Sequence, residues 1–276
     1  SSSSSILPCN RVIMDTPPAN QQPPVIEMIG VTVGAMQDLD KHVLEDVNWR
    51  VAAEDYWVVA GMQGTGKSDL LFLADGLMPP QSGRYLLFGQ EMPMYEDALL
   101  PERLRTGLVF ASGQLFHHLT IADNIALPLL YHRHLPREEA ARRVQEMLDL
   151  TELSPWANSM PGALGRNWQK RAGLARALIL QPEVLLLDTP LSGLDLRQVN
   201  WWLNFLGQLS AGHGFMNGRR MTLVVTAEDL RPWKNLACRF AILQKKRFIV
   251  LGHGPQLAEH AEPLVKELLA EDLPGK

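Results

Sequence analysis

The stretch DYWVVAGMQGTGKSDLLFLADGL, residues 55–77, decides the fold. Its first part, YWVVA, is a β-branched and aromatic run typical of a strand, and its last part, SDLLFLADGL, has helical spacing. Between them GMQGTGKS, residues 61–68, matches the phosphate-loop pattern in full. A strand, a glycine-rich loop and a helix in this order predict a loop that binds nucleotide phosphates.

The loop and the first turn of its helix supply the expected nucleotide contacts. Glycines let the backbone approach the phosphates, and successive amides point at the anion. Lys67 is expected to neutralise the β- and γ-phosphate oxygens, and the Ser68 hydroxyl to bind Mg²⁺. The predicted nucleotide-binding residues are Gly61, Gln63, Gly64, Thr65, Gly66, Lys67, Ser68 and Asp69.

A second metal ligand is expected far downstream. The apolar run VLLL, residues 184–187, is typical of a buried parallel strand, and Asp188 follows it directly. A carboxylate at the carboxyl end of such a strand is the usual partner of the Mg²⁺ ion in phosphate-loop proteins. The predicted metal ligands are therefore Ser68 and Asp188.

The pattern along the chain predicts one large α/β domain. Residues 1–24 are rich in Ser, Pro, Asn and Gln, which predicts a disordered tail. Short strand-like runs then alternate with helical ones over 25–276, and the stretch from about 112 to 180 is mainly helical. We expect an α/β core with an inserted helical subdomain at about 112–180.

Composition excludes some classes of function. The 276 residues carry a net charge of -4, whereas a nucleic-acid-binding domain normally has a basic excess. No run approaches the roughly 18 to 20 apolar residues that span a bilayer. Any membrane role is therefore expected to come through a partner.

The order of these and further motifs resembles the ATPase subunits of ATP-binding-cassette (ABC) transporters, from Val25 to about Leu257. Within that family, the stretches VFASGQLFHHLTIADNIALPL (109–129) and GALGRNWQKRAGLARAL (162–178) are most similar to bacterial ATPases of lipid-trafficking systems of the Mce and lipid-asymmetry type. The motifs that carry the resemblance, after the phosphate loop, are GLVF (107–110), LFHHLTIADNIALPL (115–129), LGRNWQKRAGLARAL (164–178), VLLLD (184–188), LSGLD (191–195) and VVTAED (224–229).

The resemblance implies a fold, cofactors and partners. The fold is a phosphate-loop NTPase core with a mixed sheet, an N-terminal antiparallel β subdomain and the inserted helical subdomain. The cofactors are ATP and Mg²⁺. The partners are transmembrane permease subunits, contacted through the helical insert around 114–130, and a second ATPase, either another copy or a different one. The location is cytoplasmic, at the inner face of the plasma (inner) membrane.

Several positions depart from the family pattern. The family's catalytic glutamate, the general base for the attacking water, falls on Thr189, which cannot accept a proton near neutral pH. The switch histidine falls on Ala227, and the glutamine that senses Mg²⁺ falls on Ala111. No catalytic residue of the family is therefore intact in this chain.

The contacts to nucleotide are also altered. The signature Leu-Ser-Gly-Gly falls on 164–167, where side chains of Arg166 and Asn167 are expected to occupy space that the family leaves to backbone. Asp69 stands where the family has Thr or Ser, and it is either favourable in a helix's first turn or repulsive toward phosphate. The adenine-stacking aromatic is missing, since Val33 and Met36 lie in that region.

Three hypotheses remain. The first is a nucleotide-binding subunit of a bacterial transporter, for lipids or another hydrophobic substrate, with impaired or absent hydrolysis. The second is a nucleotide-independent scaffold that docks a permease. The third is an active ATPase in which Glu228 or Asp195 replaces the base. Whether the chain is an active enzyme is left open by the sequence.

Overall fold

The computed structural model describes residues 23–92, 100–133, 135–254, 257 and 263–269. Residues 1–22 of the predicted tail lie outside the described residues, as do 270–276.

The strands form two sheets. The strands are β1 (Ile26–Ala35), β2 (Asp38–Val51), β3 (Tyr56–Gly61), β4 (Ser82–Leu87), β5 (Gln90–Glu91), β6 (Thr106–Val109), β7 (Val184–Leu187), β8 (Thr222–Ala227), β9 (Arg239–Gln244) and β10 (Arg247–Gly252). One sheet is antiparallel, in the order β2-β1-β4-β5, and the other has the order β10-β9-β3-β8-β7-β6. In the second, β9 to β6 are parallel and β10 runs antiparallel to β9. The mixed sheet and the N-terminal antiparallel sheet are confirmed.

Helices pack on both faces of the second sheet, and several of them lie in the middle of the sequence. The helices are α1 (Lys67–Ala74), α2 (Leu100–Arg103), α3 (Ile121–Pro128), α4 (Arg137–Leu150), α5 (Arg166–Leu178), α6 (Leu196–Ala211) and α7 (Pro263–Leu269). A π-helical turn, Leu129–Arg133, follows α3, which packs against α4 and α5. These three helices fall within 112–180, the stretch expected to form the helical subdomain. Among the described residues no helix is both long and apolar enough to cross a membrane.

The six-stranded sheet is covered on both faces, and β3 shows why. Tyr56, Val58 and Ala60 belong to a core cluster with residues of α3 to α6, while Trp57 and Val59 belong to a cluster with the antiparallel sheet and α1. All five residues are buried. A parallel strand buried on both faces has a continuous apolar run instead of alternation, which accounts for the sequence YWVVA.

The carboxyl ends of β3, β7 and β8 lie side by side. Ala60 of β3 pairs with Ala227 of β8, and Leu187 of β7 pairs with Val225 of β8. The chain segments that follow these strands therefore meet at one edge of the sheet, where α/β proteins bind their ligands.

A carboxyl group with an altered pKa lies at the carboxyl end of α1. Asp75 is the C-cap residue of α1, and its Oδ1 accepts a hydrogen bond from the Thr106 hydroxyl at 2.8 Å. Burial raises the pKa of Asp75 to about 7, against the opposing effects of the Thr106 hydrogen bond and the Arg103 charge. The negative end of the helix dipole disfavours a carboxylate at the same place.

We expect Asp75→Asn to remove a pH dependence of stability. The pKa of Asp75 is about 7 in the folded chain, and the unfolded value is about 3.9. Between these values the folded state holds the proton more tightly, so the free energy of unfolding of the wild type falls as pH rises. Asparagine does not ionise and keeps an acceptor for Thr106.

The measurement is urea unfolding of both proteins at about pH 5 and about pH 8, a range chosen to include the folded pKa. The wild type should lose stability relative to the variant at the higher pH. A difference between the two proteins that is the same at both pH values would contradict this account of Asp75.

Candidate functional site

The phosphate loop connects the last residue of β3 to the first residue of α1. Gly66 has φ 90° and forms the N-cap of α1, with no side chain capping the helix amides. This left-handed conformation favours glycine. A Cβ at Gly61 would lie 2.6 Å from the Thr65 hydroxyl oxygen and 3.1 Å from the Leu243 carbonyl oxygen, so a side chain there would force Thr65 to move. The free amides at the helix start and the positive end of its dipole form an anion site.

Lys67 lies buried beneath the loop, with 6% of its surface exposed. Its Nζ donates hydrogen bonds to the carbonyl oxygens of Gly61, at 2.7 Å, and Met62, at 2.8 Å. The Glu228 Oε1 atom is 3.7 Å from the same amine. Burial lowers the pKa of Lys67, whereas the charges of Glu228 and Asp188 oppose that effect. The amine therefore stands at the place where a phosphate-loop lysine meets β- and γ-phosphate oxygens.

The two predicted metal ligands are brought together. The Ser68 hydroxyl donates to Asp188 Oδ2 at 2.7 Å, and Asp188 is only 5% exposed. A hydroxyl and a single carboxylate fit Mg²⁺, which binds through few protein oxygens and completes its shell with phosphate and water. No cluster of three or more His, Cys, Asp or Glu side chains suited to a metal occurs in the described residues, so an all-protein cage is not available there.

Thr226 holds the second oxygen of Asp188. Its hydroxyl donates to Asp188 Oδ1 at 2.9 Å and accepts the N–H of Thr189 at 2.9 Å. Thr226 has no exposed surface. The sequence analysis missed this residue, although a hydroxyl near the end of the apolar run TLVVTA was a usable signal. The hydroxyl orients the carboxylate toward the phosphate loop.

Thr189, at the position expected for the general base, is held by Lys170. Thr189 has φ 41°, an unusual value for a β-branched residue. The Lys170 Nζ donates to the carbonyl oxygens of Thr189, Pro190 and Ser192 at 3.3, 3.2 and 2.7 Å. Burial lowers the pKa of Lys170 to about 8, and the charge of Asp188 opposes this. The backbone at the base position is thus fixed, but its side chain offers no carboxylate.

Asp69 connects α1 to the turn that follows β1. Its Oδ1 accepts the backbone N–H of Met36 at 2.8 Å. The carboxylate is therefore engaged with a backbone donor in the first turn of the helix. Of the two residues found where an aromatic was expected, Val33 is fully buried and Met36 is 50% exposed. Met36 is thus the apolar side chain available beside this end of the loop.

The expectation for the signature segment was wrong in one respect. Asn167 is 4% exposed and does not project outward, because its Oδ1 accepts the indole N–H of Trp202 at 3.2 Å. Gly165 is the N-cap of α5 and Arg166 is its first residue, exposed to solvent. Of these two side chains, only that of Arg166 is therefore exposed at the start of α5.

The two candidate replacement bases differ in their surroundings. Asp195 is the N-cap of α6, where its carboxylate accepts the Gln198 N–H at 2.9 Å in a capping box. It therefore has an ordinary structural role. Ala227, at the switch-histidine position, is buried at the end of β8, and Glu228 follows it with its carboxylate beside Lys67.

Comparison with known proteins identifies the family. The family profile described as ABC transporter matches residues 44–192. The chain belongs to the ABC transporter family. Its mixed sheet and N-terminal antiparallel sheet match solved ABC cassettes, and the ATPase domain of this family binds ATP with Mg²⁺, so the expectations of fold, ATP and Mg²⁺ are confirmed. Members of the family form dimers and work with transmembrane permeases, which confirms the expected classes of partner.

The curated relatives differ in their named substrates. The chain is 32% identical to the methionine import ATP-binding protein MetN 2 of Salmonella choleraesuis (strain SC-B67), covering 91% of this chain and 76% of the relative. It is 32% identical to the probable sulfate/thiosulfate import ATP-binding protein CysA of Chlorella vulgaris, covering 86% and 93%. It is 28% identical to the intermembrane phospholipid transport system ATP-binding protein MlaF of Escherichia coli (strain K12), covering 82% of both chains.

Solved structures share the fold. A dimeric post-hydrolysis state of the ATP-binding cassette MJ0796, bound to ADP and phosphate, is 26% identical, with a TM-score of 0.71 over 80% of this chain and 95% of that one. The cbiO1 subunit from Clostridium perfringens is 21% identical, with a TM-score of 0.72 over 89% and 94%, and shows a likeness of fold alone.

We expect Thr226→Val to lower the affinity for Mg²⁺ at the nucleotide site, so that ATP binding needs a higher Mg²⁺ concentration. The variant removes the donor that orients Asp188, and loss of such a supporting contact costs about 10-fold in metal affinity. A buried hydrogen bond is also lost, which lowers stability by about 1 to 3 kcal/mol. The measurement is a Mg²⁺ titration of ATP binding by fluorescence or calorimetry.

The matched control is Thr222→Val, on the same strand. Thr222 is also buried, and its hydroxyl accepts the N–H of Glu54 at 2.9 Å, away from Asp188. This control should lose stability without any change in the Mg²⁺ titration. An equal change in the titration for both variants would show that Thr226 acts only through stability.

Proposed function

We propose that the chain is the ATP-binding subunit of a bacterial transporter for lipids or another hydrophobic substrate, with impaired or absent ATP hydrolysis. The observation that carries the proposal is the position of Thr189. It takes the place of the general base, while Lys67, Ser68 and Asp188 keep the geometry of a nucleotide site. The chain thus keeps the groups that bind nucleotide but lacks the group that activates water.

The expected effect on turnover is large. A missing general base lowers the rate by about 10² to 10⁴-fold, since nothing removes the proton of the attacking water. Ala227 supplies no contact to the γ-phosphate where the family has histidine, and Arg166 replaces a residue of the signature. These three substitutions act on hydrolysis and closure and leave the phosphate loop itself unchanged.

ATP acts in this proposal mainly as a ligand. A ligand shifts a conformational equilibrium by its difference in affinity for the two states, and chemistry is not required for that shift. We propose that the chain dimerises with itself or with a second ABC ATPase, and that ATP favours the closed pair. The subunit lies at the inner face of the membrane, where the segment 114–130 contacts a permease.

The lipid assignment is supported by sequence similarity. MlaF of Escherichia coli is named as a phospholipid transport subunit, and the similarity covers 82% of this chain. MetN 2 and CysA carry names with small polar substrates at a slightly higher identity of 32%. The proposal for lipids therefore rests on the motifs at 109–129 and 162–178 as well as on this relative.

A permease-docking scaffold that needs no nucleotide is the second candidate function. The observation in its favour is the turn after β1, where Met36 is exposed and residues 33–38 include no aromatic side chain that could stack on adenine. Retention of Lys67, Ser68 and Asp188 favours the first function, because a scaffold makes no use of a magnesium and phosphate site.

We expect Thr189→Glu to raise ATP turnover by at least about 10-fold, the low end of what a general base contributes. The reason is that Lys170 and Thr226 already fix the backbone on which the new carboxylate stands. The measurement is phosphate release under saturating MgATP. Thr189→Gln is the matched control, since it has the same size without a basic group, and it should give no increase.

In parallel with this assay, ATP binding by the wild type and by Lys67→Ala is measured by calorimetry. Binding that depends on Lys67, with slow phosphate release, is the expected result. Rapid Lys67-dependent release by the wild type would show that hydrolysis is not impaired. Absence of ATP binding would support the scaffold.

We expect a permease and phospholipid to copurify with the tagged chain from its native membrane, in amounts comparable to the chain. Leu130→Asp should reduce both, because Leu130 is exposed within the segment proposed to contact the permease. Val250→Asp is the control, since Val250 is an equally exposed apolar residue on β10. A copurified permease without phospholipid above a mock preparation would contradict the lipid assignment.

A further inference from the structure

Glu228 lies beside the phosphate loop, at the end of a strand that pairs with β3. Ala227 is the last residue of β8 and pairs with Ala60 of β3 in parallel register. The next residues of the two chains, Gly61 at the end of β3 and Glu228 just after β8, therefore lie side by side. The register of the two strands thus places Glu228 beside the start of the phosphate loop.

The Lys67 amine connects this carboxylate to the nucleotide site. A lysine amine has three protons to donate. Two serve the carbonyl oxygens of Gly61 and Met62, and Glu228 Oε1 lies 3.7 Å from the same nitrogen. The carboxylate is thus the anionic partner of the group that receives β- and γ-phosphate oxygens.

The neighbouring acidic residue shows that this contact is specific. Asp229 turns to Arg231, whose guanidinium donates to its carboxylate at 2.7 Å. Of these two consecutive carboxylates, one is paired with a surface arginine and the other with the phosphate-loop lysine. Asp188, the second carboxylate near Lys67, is held by hydroxyls of Ser68 and Thr226 and belongs to the metal site.

We propose that Glu228 is a specificity-determining residue that lowers the affinity for a nucleoside triphosphate relative to the diphosphate. A γ-phosphate and the Glu228 carboxylate both require Lys67, and both are negative. A triphosphate therefore has to displace the carboxylate or bind beside it, against electrostatic repulsion. A diphosphate leaves the γ-position to the carboxylate and meets less repulsion.

The side chain of Glu228 is 50% exposed, so solvent screens this repulsion and the effect is moderate. The effect is a difference in affinity between the triphosphate and the diphosphate at the phosphate loop. It does not depend on the transported substrate or on the rate of hydrolysis.

The test is calorimetric titration of the full chain with MgATP and with MgADP, for the wild type, Glu228→Gln and Asp229→Asn. Glutamine keeps the size of the side chain and removes its charge. We expect Glu228→Gln to lower the Kd for MgATP by about 10-fold, the scale of one charge interaction near a protein surface, and the Kd for MgADP by less than about 3-fold. Asp229→Asn removes a charge one residue away and should leave both constants within about 2-fold.

Several results would overturn the inference. One is a ratio of the two Kd values in Glu228→Gln that equals the wild-type ratio. A second is the same change of ratio in Asp229→Asn, which would indicate only the general field of the surface. A third is a Glu228→Gln variant with unchanged affinities and slower phosphate release, which would identify Glu228 as a general base. If no variant binds either nucleotide, nucleotide binding by this chain fails as well, whereas binding with an unchanged ratio removes the inference alone.

Discussion

The carboxylate of Asp188 is the group on which the arrangement of the site depends. It stands at the end of β7, almost fully buried, and a buried carboxylate is stable only when its oxygens have partners. One oxygen accepts the Ser68 hydroxyl from the start of α1, and the other accepts the Thr226 hydroxyl from β8. Three segments that are far apart in sequence are thereby fixed at one edge of the sheet. The phosphate loop and the strand that precedes Glu228 take their relative positions from this network.

The same network fixes the backbone at position 189, where we propose that the general base is missing. Thr226 also accepts the N–H of Thr189, and Lys170 donates to three carbonyl oxygens of the segment 189–192. A β-branched residue at φ 41° is unfavourable by an amount on the order of 1 to 3 kcal/mol and needs such support. The contacts are made by backbone atoms of the segment, so they do not depend on which side chain occupies 189. A glutamate could therefore be replaced by threonine without any change in the path of the chain.

The sequence predicts the parts of the site that are local and leaves out those that depend on tertiary packing. The phosphate loop lies within one continuous strand, loop and helix, and Asp188 directly follows a recognisable buried strand, so both were found. Thr226 becomes part of the site only because β8 lies between β3 and β7, and strand order is not encoded in any single segment. The burial of Asn167 was not predicted for a similar reason, since it depends on a hydrogen bond from Trp202, 35 residues away. The hydrogen bonds from Lys170 to the segment 189–192 join α5 to a segment about 20 residues further along the chain, so they also depend on tertiary packing.

Binding and hydrolysis use different groups in such a site, and this has a consequence for how the subunit returns to its starting state. Phosphates are held by loop amides, Lys67 and the metal ligands, whereas the removal of a proton from water needs a base at position 189. A subunit that binds ATP but hydrolyses it slowly can leave the ATP-bound state only by releasing the intact nucleotide. Very tight binding would then keep it in that state, because most differences in affinity appear in the dissociation rate. In our proposal, the Glu228 carboxylate beside Lys67 limits the affinity for the triphosphate and shortens the lifetime of the bound state. This role of Glu228 is consistent with the proposed lack of a base at position 189, since weaker retention of ATP would compensate for slow hydrolysis.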